Sequence, residues 1–268
     1  MSPALTLEDA LEPVRADPRR SAALFDVDGT LAPIVRHAED AHVPEPTRAL
    51  LIRVAQRYGT VACVSGRRAT TARRIVAIGS ISYIGNHGGE LLRSGSTEPE
   101  LEPRFAREGA RVRAFAEETW RRDGRLHRLR VRAEDKGEIA ALHWRGTPDE
   151  AAAEAAVRDV ARRAQEAGLA VHWGRKVLEV RPPTAVDKGA GIAWLLEGAD
   201  VTAAVYVGDD TTDLDAFRGL RALVAAGRLE TAVCVGVRSE ETPADLEREA
   251  DLLVDGPPGV RRVLEALL

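Results

Sequence analysis

Short apolar runs that end in polar or glycine-rich turns recur in both end regions of the chain and alternate with stretches of helical periodicity. The apolar runs occupy residues 22–27, 60–64, 81–84, 203–207, 231–235 and 251–254, and the helical stretches occupy residues 47–58, 70–78, 192–196 and 260–268. Strands that are apolar on both faces are typical of a parallel sheet covered by helices on each side. The pattern therefore predicts an α/β fold with a Rossmann-like parallel-sheet core.

The middle of the chain has a different pattern. Residues 126–132 and 139–144 alternate apolar and polar side chains, as half-buried antiparallel strands do. The other elements predicted there are helices over residues 105–122 and 149–167, with Thr147 and Pro148 as N-cap and first-turn proline of the second, and strands over residues 170–173 and 177–180. We therefore predict an inserted α+β domain over residues 103–183 and a core domain formed by residues 1–102 and 184–268.

Composition excludes several classes of protein. The 268 residues are 44% hydrophobic and 30% charged, which excludes a disordered chain, a collagen-like fibre and a small disulfide scaffold. A formal net charge of −4 provides no basic field for nucleic acid, and no stretch of 18 apolar residues predicts a membrane span. Glu8 and Asp9 stand where a signal peptide would have its basic region. The expected location is the cytoplasm, without nucleic-acid or membrane partners.

Cysteine and lysine are both scarce. Cys63 and Cys234 lie inside apolar runs without metal-ligand spacing, so we expect buried, small hydrophobic side chains. Three of the 38 basic residues are lysines, namely Lys136, Lys176 and Lys188. In a chain that otherwise uses arginine, a retained lysine favours a position that needs a compact ammonium group.

The segment Asp26-Val27-Asp28-Gly29-Thr30 follows the first apolar run. In a parallel sheet, ligands bind beyond the carboxyl ends of the strands, where we expect Asp26 and Asp28. Gly29 permits a tight turn that a side chain would obstruct. Alone, such a segment also suits an ordinary turn with capping aspartates.

Three further segments have groups of matching chemistry. The SGR segment, with Ser65 and Arg67, offers a hydroxyl and backbone amides to phosphate oxygens, and Lys188 in a DKG segment offers a point charge. The GDDTTD segment places Asp209, Asp210 and Asp213 in one turn, where a cation would relieve their repulsion. Ligands that are all oxygen favour magnesium over zinc.

In the order DxDGT, SGR, DKG and GDDxxD, these segments resemble the four motifs of the haloacid-dehalogenase superfamily of phosphotransferases. The inserted domain resembles the large α/β cap of one superfamily branch, and within it the chain resembles the trehalose-6-phosphate phosphatase family. The supporting segments are residues 85–90, 134–137, 142–145, 174–182 and 208–217. The chain departs from the family at Leu214, where glutamate is typical, and at Trp144, where tyrosine is frequent.

The resemblance implies a Mg²⁺-dependent phosphatase that acts through an aspartyl-phosphate. It makes Asp26 the nucleophile and Asp28 the general acid and base, while Ser65 and Lys188 stabilise the phosphoryl oxygens. The implied magnesium ligands are the Asp26 carboxylate, the Asp28 main-chain carbonyl and Asp209, with Asp213 or Asp210 binding directly or through water.

The sugar phosphate needs further contacts, because the four motifs serve the phosphoryl group. The candidate substrate-binding residues of the core are Arg67, Asn86, His87 and Glu90, and those of the cap are Glu134, Lys136, Lys176 and Glu179. Charged groups form strong hydrogen bonds with sugar hydroxyls. Arg67 has two open interpretations, as a phosphate contact or as the partner of an acid.

Other functions remain open from the sequence. One is a phosphatase for sucrose phosphate or for a mannosyl- or glucosyl-phosphoglycerate, and a phosphomutase of the same superfamily is another. A phosphorylatable receiver-type signalling domain also combines an acceptor aspartate, an acidic cluster, a hydroxyl and a lysine, but has no inserted cap. A binding module without activity would not need all four motifs. The sequence does not determine the oligomeric state, and a monomer is the working expectation.

Overall fold

The computed structural model describes residues 6–35, 40–184, 186–239 and 242–268. Its helices are α1 (Leu7–Arg15), α2 (Glu45–Arg57), α3 (Ala69–Val76), α4 (Pro103–Arg122), α5 (Gly124–Arg128), α6 (Glu150–Glu166), α7 (Lys188–Leu195), α8 (Asp213–Ala225), α9 (Ala244–Glu249) and α10 (Gly256–Ala266). Its strands are β1 (Ser21–Asp26), β2 (Thr60–Val64), β3 (Ser82–Gly85), β4 (Glu90–Leu92), β5 (Glu100–Leu101), β6 (Arg132–Asp135), β7 (Ala140–His143), β8 (Ala170–Gly174), β9 (Val177–Arg181), β10 (Ala203–Gly208), β11 (Thr231–Arg238) and β12 (Leu252–Asp255).

The chain folds into two compact units. One comprises Met1–Glu100 and Val186–Leu268, and the other comprises Leu101–Ala185. We call the first the core unit and the second the inserted unit. Among the described residues, no helix has the length and apolar character that crossing a bilayer requires.

The core unit is built on a sheet with the strand order β12-β11-β10-β1-β2-β3-β4-β5. From β12 to β3 each neighbouring pair is parallel, and β4 joins β3 in antiparallel orientation. The predicted α/β class with a parallel central sheet is therefore confirmed. β1 lies in the middle of the sheet, so its end is flanked by the ends of β2 and β10.

Helices cover both faces of this sheet, which explains why its strands are apolar at successive positions. On β1, Ala23 and Phe25 pack into a cluster with side chains of α1, α2, α3 and α10. Ala22 and Leu24 face the other way and pack with α7 and α8. All six residues of β1 are buried, and a strand buried on both faces provides a rigid base for the residues at its end.

The inserted unit has its own antiparallel sheet, with the order β6-β7-β9-β8. One face of the sheet packs against α4 and α6 through a separate hydrophobic cluster that includes Val112, Leu142, Val157 and Leu178. A unit with a core of its own is consistent with an α+β insertion, whose boundaries the sequence placed at residues 103 and 183.

Two local predictions in the inserted unit are wrong. Leu126 was expected in a strand but lies in α5, because Asp123 caps this short helix by accepting from the Arg125 N–H at 3.2 Å; the strand begins only at Arg132. The N-cap of α6 is Asp149, which accepts from the Ala152 N–H at 2.9 Å. In both cases an aspartate starts the helix.

Candidate functional site

The candidate site lies at the carboxyl ends of the central strands of the core unit. Asp26 is the last residue of β1, and the register pairs it with Val64, which precedes Ser65. On the other side, Phe25 pairs with Val207 in β10, two residues before the acidic turn. Because parallel strands end at a common edge, three of the four predicted motifs meet there.

Lys188 brings the fourth motif to the same place. It begins α7, where the Asp187 side chain caps the helix by accepting from the Ala190 N–H at 2.7 Å. Its ammonium is 2% exposed and donates to Asp26 Oδ1 at 2.7 Å and to Asp213 Oδ1 at 2.6 Å. Burial alone lowers the pKa of Lys188, but the two carboxylates hold it well above its usual value. The site therefore contains a permanently charged ammonium in a defined position.

Asp213, the first residue of α8, is fully buried, and its carboxylate accepts four hydrogen bonds. Oδ1 accepts from Lys188 and from the Tyr206 hydroxyl, at 2.6 and 2.5 Å. Oδ2 accepts from the backbone N–H groups of Asp209 and Asp210, at 2.8 and 2.9 Å. Four donors fill the acceptor positions of a carboxylate. Asp213 thus anchors both the turn after β10 and the lysine.

Tyr206 belongs to this network although the sequence analysis did not single it out. It is fully buried in β10, and its ring packs edge-on against Phe217, with the ring centroids 6.0 Å apart. Burial, together with the charge of Asp213, raises the pKa of Tyr206 well above its usual value, so the hydroxyl keeps its proton and donates. The only sequence signal for this role was the position of the tyrosine just before the acidic motif, and an ordinary core side chain is equally common at such a position.

Asp209 brings a further carboxylate into the site. Its Oδ1 accepts from the Thr30 hydroxyl at 3.1 Å. Gly29 has a φ of +91°, and a Cβ at this position would lie 2.2 Å from Asp209 Oδ2, so the turn requires glycine. Burial and the charges of Asp213 and Asp210 raise the pKa of Asp209 to about 7. The site concentrates more negative charge than Lys188 alone balances.

The arrangement fits a magnesium ion. Asp26, Asp209 and Asp213 each offer a carboxylate oxygen, and these atoms lie within 4.8 Å of one another. A donor set of oxygens alone suits Mg²⁺. Since four donors already engage Asp213, the remaining lone pairs belong mainly to Asp26 and Asp209. Asp210 is 57% exposed at its side chain and accepts from the Thr212 hydroxyl at 2.7 Å.

Asp28 is held by Arg67. The guanidinium donates from Nε to Asp28 Oδ2 at 2.7 Å and from Nη2 to Oδ1 at 2.8 Å. Both oxygens of Asp28, the predicted general acid, therefore accept hydrogen bonds. The sequence left Arg67 either as a phosphate contact or as the partner of an acid, and in the structure it is the partner of an acid. The side chains of Arg67 and Asp28 are 20% and 35% exposed, so the pair lies at the rim of the site.

Ser65 and His87 lie in neighbouring loops that are joined by backbone hydrogen bonds. The His87 N–H donates to the Ser65 carbonyl at 3.1 Å, and the Asn86 N–H donates to the Arg67 carbonyl at 2.8 Å. The imidazole stands against Gly66, where a Cβ would lie 2.5 Å from the ring. This places His87 beside the loop that the sequence assigns to phosphate binding.

Asn86 and Glu90 were expected to contact substrate, but the structure uses both within the protein. Each is fully buried, and the Asn86 amide donates to Glu90 Oε1 at 3.0 Å. Glu90 Oε2 accepts from the Ala69 N–H at the start of α3, at 2.7 Å. Asn86 and His87 both have a positive φ, which is uncommon outside glycine and needs support from its surroundings. The Glu90 carboxylate supplies such support.

Three of the four predicted substrate groups of the inserted unit lie close together. Glu134 and Glu179 both pair with Ala141 in the sheet register and so share one face. Lys136 donates to Glu179 Oε1 at 2.6 Å. A hydrogen bond from His143 lowers the pKa of Glu134, which keeps this carboxylate charged. This face is opposite to the one that packs on α4 and α6.

Lys176 does not join this group. It lies in the turn between β8 and β9 with a φ of +56°, and its ammonium, at a side chain that is 47% exposed, pairs with Glu150 at the start of α6. Sequence reasoning missed Arg181, which donates from Nε to Glu179 Oε2 at 2.9 Å. An arginine two residues after a glutamate on the same strand was the available signal, because such side chains share a face.

Comparison with known proteins places this site in a family. The profile of the trehalose-phosphatase family matches residues 24–250. A trehalose-phosphate phosphatase of Mycobacterium avium is 33% identical over 213 residues, and an uncharacterised glycosyl hydrolase of Mycobacterium tuberculosis is 32% identical over 211 residues. The C-terminal domain of a Candida albicans trehalose-6-phosphate phosphatase has the same fold, with a TM-score of 0.73, 22% identity and coverage of 100% of this chain and 98% of that domain.

The matched relatives are longer proteins. Each alignment covers 76% of this chain, but only 52% of the Mycobacterium avium enzyme and 15% of the Mycobacterium tuberculosis protein. The family profile extends from β1 through the inserted unit to α9, and so includes all the motifs that meet at the site. The chain therefore belongs to the trehalose-phosphatase family.

Proposed function

We propose that this chain hydrolyses trehalose 6-phosphate to trehalose and phosphate, with magnesium and through an aspartyl-phosphate on Asp26. The observation that supports this most is the position of Asp26. It ends a buried strand, one of its oxygens accepts from the Lys188 ammonium at 2.7 Å, and Asp209 and Asp213 lie beside it. A carboxylate held between a fixed cation and a metal-binding cluster suits attack on a phosphate dianion.

In the first step, an Asp26 oxygen attacks phosphorus, and the bond between phosphorus and the sugar oxygen breaks. The electron pair of that bond goes to the sugar oxygen, which takes a proton from Asp28. Lys188 and Ser65 stabilise the negative charge on the phosphoryl oxygens as the bond breaks. Trehalose leaves, and the phosphoryl group stays on Asp26.

In the second step, water attacks the phosphorus and the bond to Asp26 breaks, so the carboxylate is restored. Asp28, now a carboxylate, takes a proton from the attacking water. Inorganic phosphate is then released. The same residue thus serves as acid and as base, which requires its protonation state to alternate within one cycle.

Magnesium would be held by Asp26 and Asp209, with the Asp28 main-chain carbonyl as a further predicted ligand. Asp213 was also a predicted ligand, but its four donors leave it the role of fixing the turn that carries Asp209. When bound, such a cation screens the repulsion between carboxylate and phosphate and keeps the two in line. The protein's part is to fix the carboxylates, which it does through Thr30 for Asp209 and through Lys188 for Asp26.

We assign recognition of the sugar to the inserted unit. The motifs of the core serve the phosphoryl group, which all sugar phosphates share, so discrimination requires other groups. Glu134, Lys136 and Glu179 provide charged donors and acceptors on one face of a sheet. In the core unit, His87 is the remaining candidate for a contact near the phosphate loop. A receiver-type signalling domain has no counterpart of this inserted unit.

Phosphate release from a panel of sugar phosphates tests the proposal. With magnesium, we expect trehalose 6-phosphate to have the highest kcat/KM, above sucrose 6-phosphate, glucose 6-phosphate and mannosyl- and glucosyl-phosphoglycerate. Excess chelator should stop the reaction, and added magnesium should restore it, because the acidic cluster needs a cation. Full activity in chelator, or preference for another sugar phosphate, would contradict the proposal.

Substitution of Glu179 tests whether the inserted unit reads the sugar. Glu179→Gln keeps the size of the side chain but removes the charge that holds Lys136 and Arg181. We therefore expect the charged face to lose its arrangement and kcat/KM for trehalose 6-phosphate to fall roughly 10- to 150-fold. The value for p-nitrophenyl phosphate should change little, since this ester has no distal sugar. Glu154→Gln, at an exposed position of α6, is the control. Equal losses on both substrates would instead assign Glu179 to folding.

Substitution of Tyr206 tests the anchor behind Lys188. Tyr206→Phe removes one donor from Asp213 and keeps the contact with Phe217, so we expect kcat/KM to fall by about 10-fold or more on every phosphate ester. Tyr83→Phe is the matched control, because Tyr83 is also fully buried and its hydroxyl donates to the Ile78 carbonyl at 2.5 Å. Both variants should unfold at lower urea concentration, but only Tyr206→Phe should lose activity. Equal activity of the two variants would reject the role of Tyr206.

A further inference from the structure

We propose that Arg67 exchanges partners: it holds the Asp28 carboxylate in the substrate-free protein and releases it when a phosphoryl group binds to the guanidinium. The inference rests on the proposed function, because it takes Asp28 to be the proton donor. It assigns to Arg67 an exchange of partners in each catalytic cycle.

The geometry of the pair is the first observation that supports this exchange. Nε of Arg67 donates to Asp28 Oδ2 at 2.7 Å, and Nη2 donates to Oδ1 at 2.8 Å. This fork engages both oxygens of the Asp28 side chain, so neither oxygen can turn toward a bound phosphate ester while the pair is closed. The pair must therefore open before Asp28 can protonate a leaving sugar oxygen.

The position of the pair allows a ligand to open it. The side chains of Arg67 and Asp28 are 20% and 35% exposed, whereas that of Lys188 is 2% exposed. Opening a partly exposed pair leaves both charges in contact with water, while opening the Lys188 pairs would leave an uncompensated buried charge. The site thus combines one fixed cation, Lys188, with one releasable cation, Arg67.

The backbone of Arg67 lies in the loop that is assigned to phosphate binding. Its N–H donates to Ser65 Oγ at 3.1 Å, and its carbonyl accepts from the Asn86 N–H at 2.8 Å. The side chain therefore starts two residues from the hydroxyl assigned to phosphate binding. A phosphate dianion matches the guanidinium fork and has more charge than a carboxylate, so it can displace Asp28.

This exchange would link the position of the Asp28 side chain to substrate binding. Without a phosphoryl group, both oxygens of Asp28 are held by Arg67. With a phosphoryl group on Arg67, the Asp28 side chain can turn toward the leaving oxygen.

Crystal structures of the magnesium-loaded wild-type protein test the exchange directly. Without ligand, we expect the bidentate contact between Arg67 and Asp28. With inorganic phosphate bound, we expect the guanidinium to donate to phosphate oxygens and the Asp28 carboxylate to be free of Arg67. A bidentate pair that persists with phosphate bound overturns the proposal.

Kinetics of Arg67→Gln distinguish an exchanging pair from a permanent one. The value of kcat/KM covers the steps up to phosphoryl transfer, and p-nitrophenolate leaves with little need for a proton. An exchanging Arg67 contacts the phosphoryl group of both substrates, so kcat/KM should fall equally, roughly 10- to 150-fold, for trehalose 6-phosphate and p-nitrophenyl phosphate. A loss confined to trehalose 6-phosphate would mean that Arg67 only orients Asp28. Unchanged kinetics would mean that Arg67 does not contact the phosphoryl group. Either result overturns the proposal.

Arg218→Gln is the matched control. It removes an exposed guanidinium that pairs with Glu249 at 2.9 Å, and it should leave kcat/KM unchanged. A wild-type protein that releases phosphate from no sugar phosphate would reject the proposed function. The crystallographic comparison with bound phosphate would still decide whether Arg67 exchanges partners.

Discussion

The buried ammonium of Lys188 is the interaction on which the site depends. It lies between Asp26 and Asp213 at 2% exposure, with donor–acceptor distances of 2.7 and 2.6 Å. Removal of one partner from such a group leaves a buried charge without compensation, at a cost of about 3–5 kcal/mol. The network thus ties the end of β1, the start of α7 and the start of α8 into one rigid assembly. Asp26 can then be presented in a fixed orientation, which proximity catalysis requires.

The site has more carboxylates than cationic groups within this rigid frame. Three buried carboxylates lie close together, one ammonium contacts two of them, and burial together with the charges of Asp213 and Asp210 raises the pKa of Asp209 to about 7. A divalent cation would restore the balance and convert repulsion into coordination. Tyr206 acts indirectly, because its hydroxyl is one of the four donors that hold the Asp213 carboxylate. The arrangement of the site residues therefore depends on a hydrogen bond from a core tyrosine.

The alternation of apolar runs and helical stretches was sufficient to predict the parallel sheet, because strands buried on both faces have a distinctive pattern. Strand ends then predicted that Asp26, Ser65 and Asp209 meet, and the resemblance to the haloacid-dehalogenase motifs predicted that Lys188 joins them. Local capping was harder to predict, as the helix α5 shows: Asp123 started a helix where residues 126–132 alternate like a strand. Long-range side-chain pairing was not predictable either. From the sequence, Glu90 could equally bind substrate or serve a structural role. In the fold its carboxylate is buried and accepts hydrogen bonds from Asn86 and from the start of α3, which no local pattern indicates.

The central claim is that Asp26 carries the phosphoryl group between the two steps. Mass spectrometry of the Asp28→Asn variant during reaction with p-nitrophenyl phosphate tests it most directly. The good leaving group needs no acid, whereas hydrolysis of the intermediate lacks its base, so the intermediate should accumulate. Reduction with borohydride should then convert residue 26 to homoserine, and an Asp26→Asn, Asp28→Asn double variant should show no conversion. Steady release of p-nitrophenol without modification of residue 26, or with modification of another residue, would contradict the account.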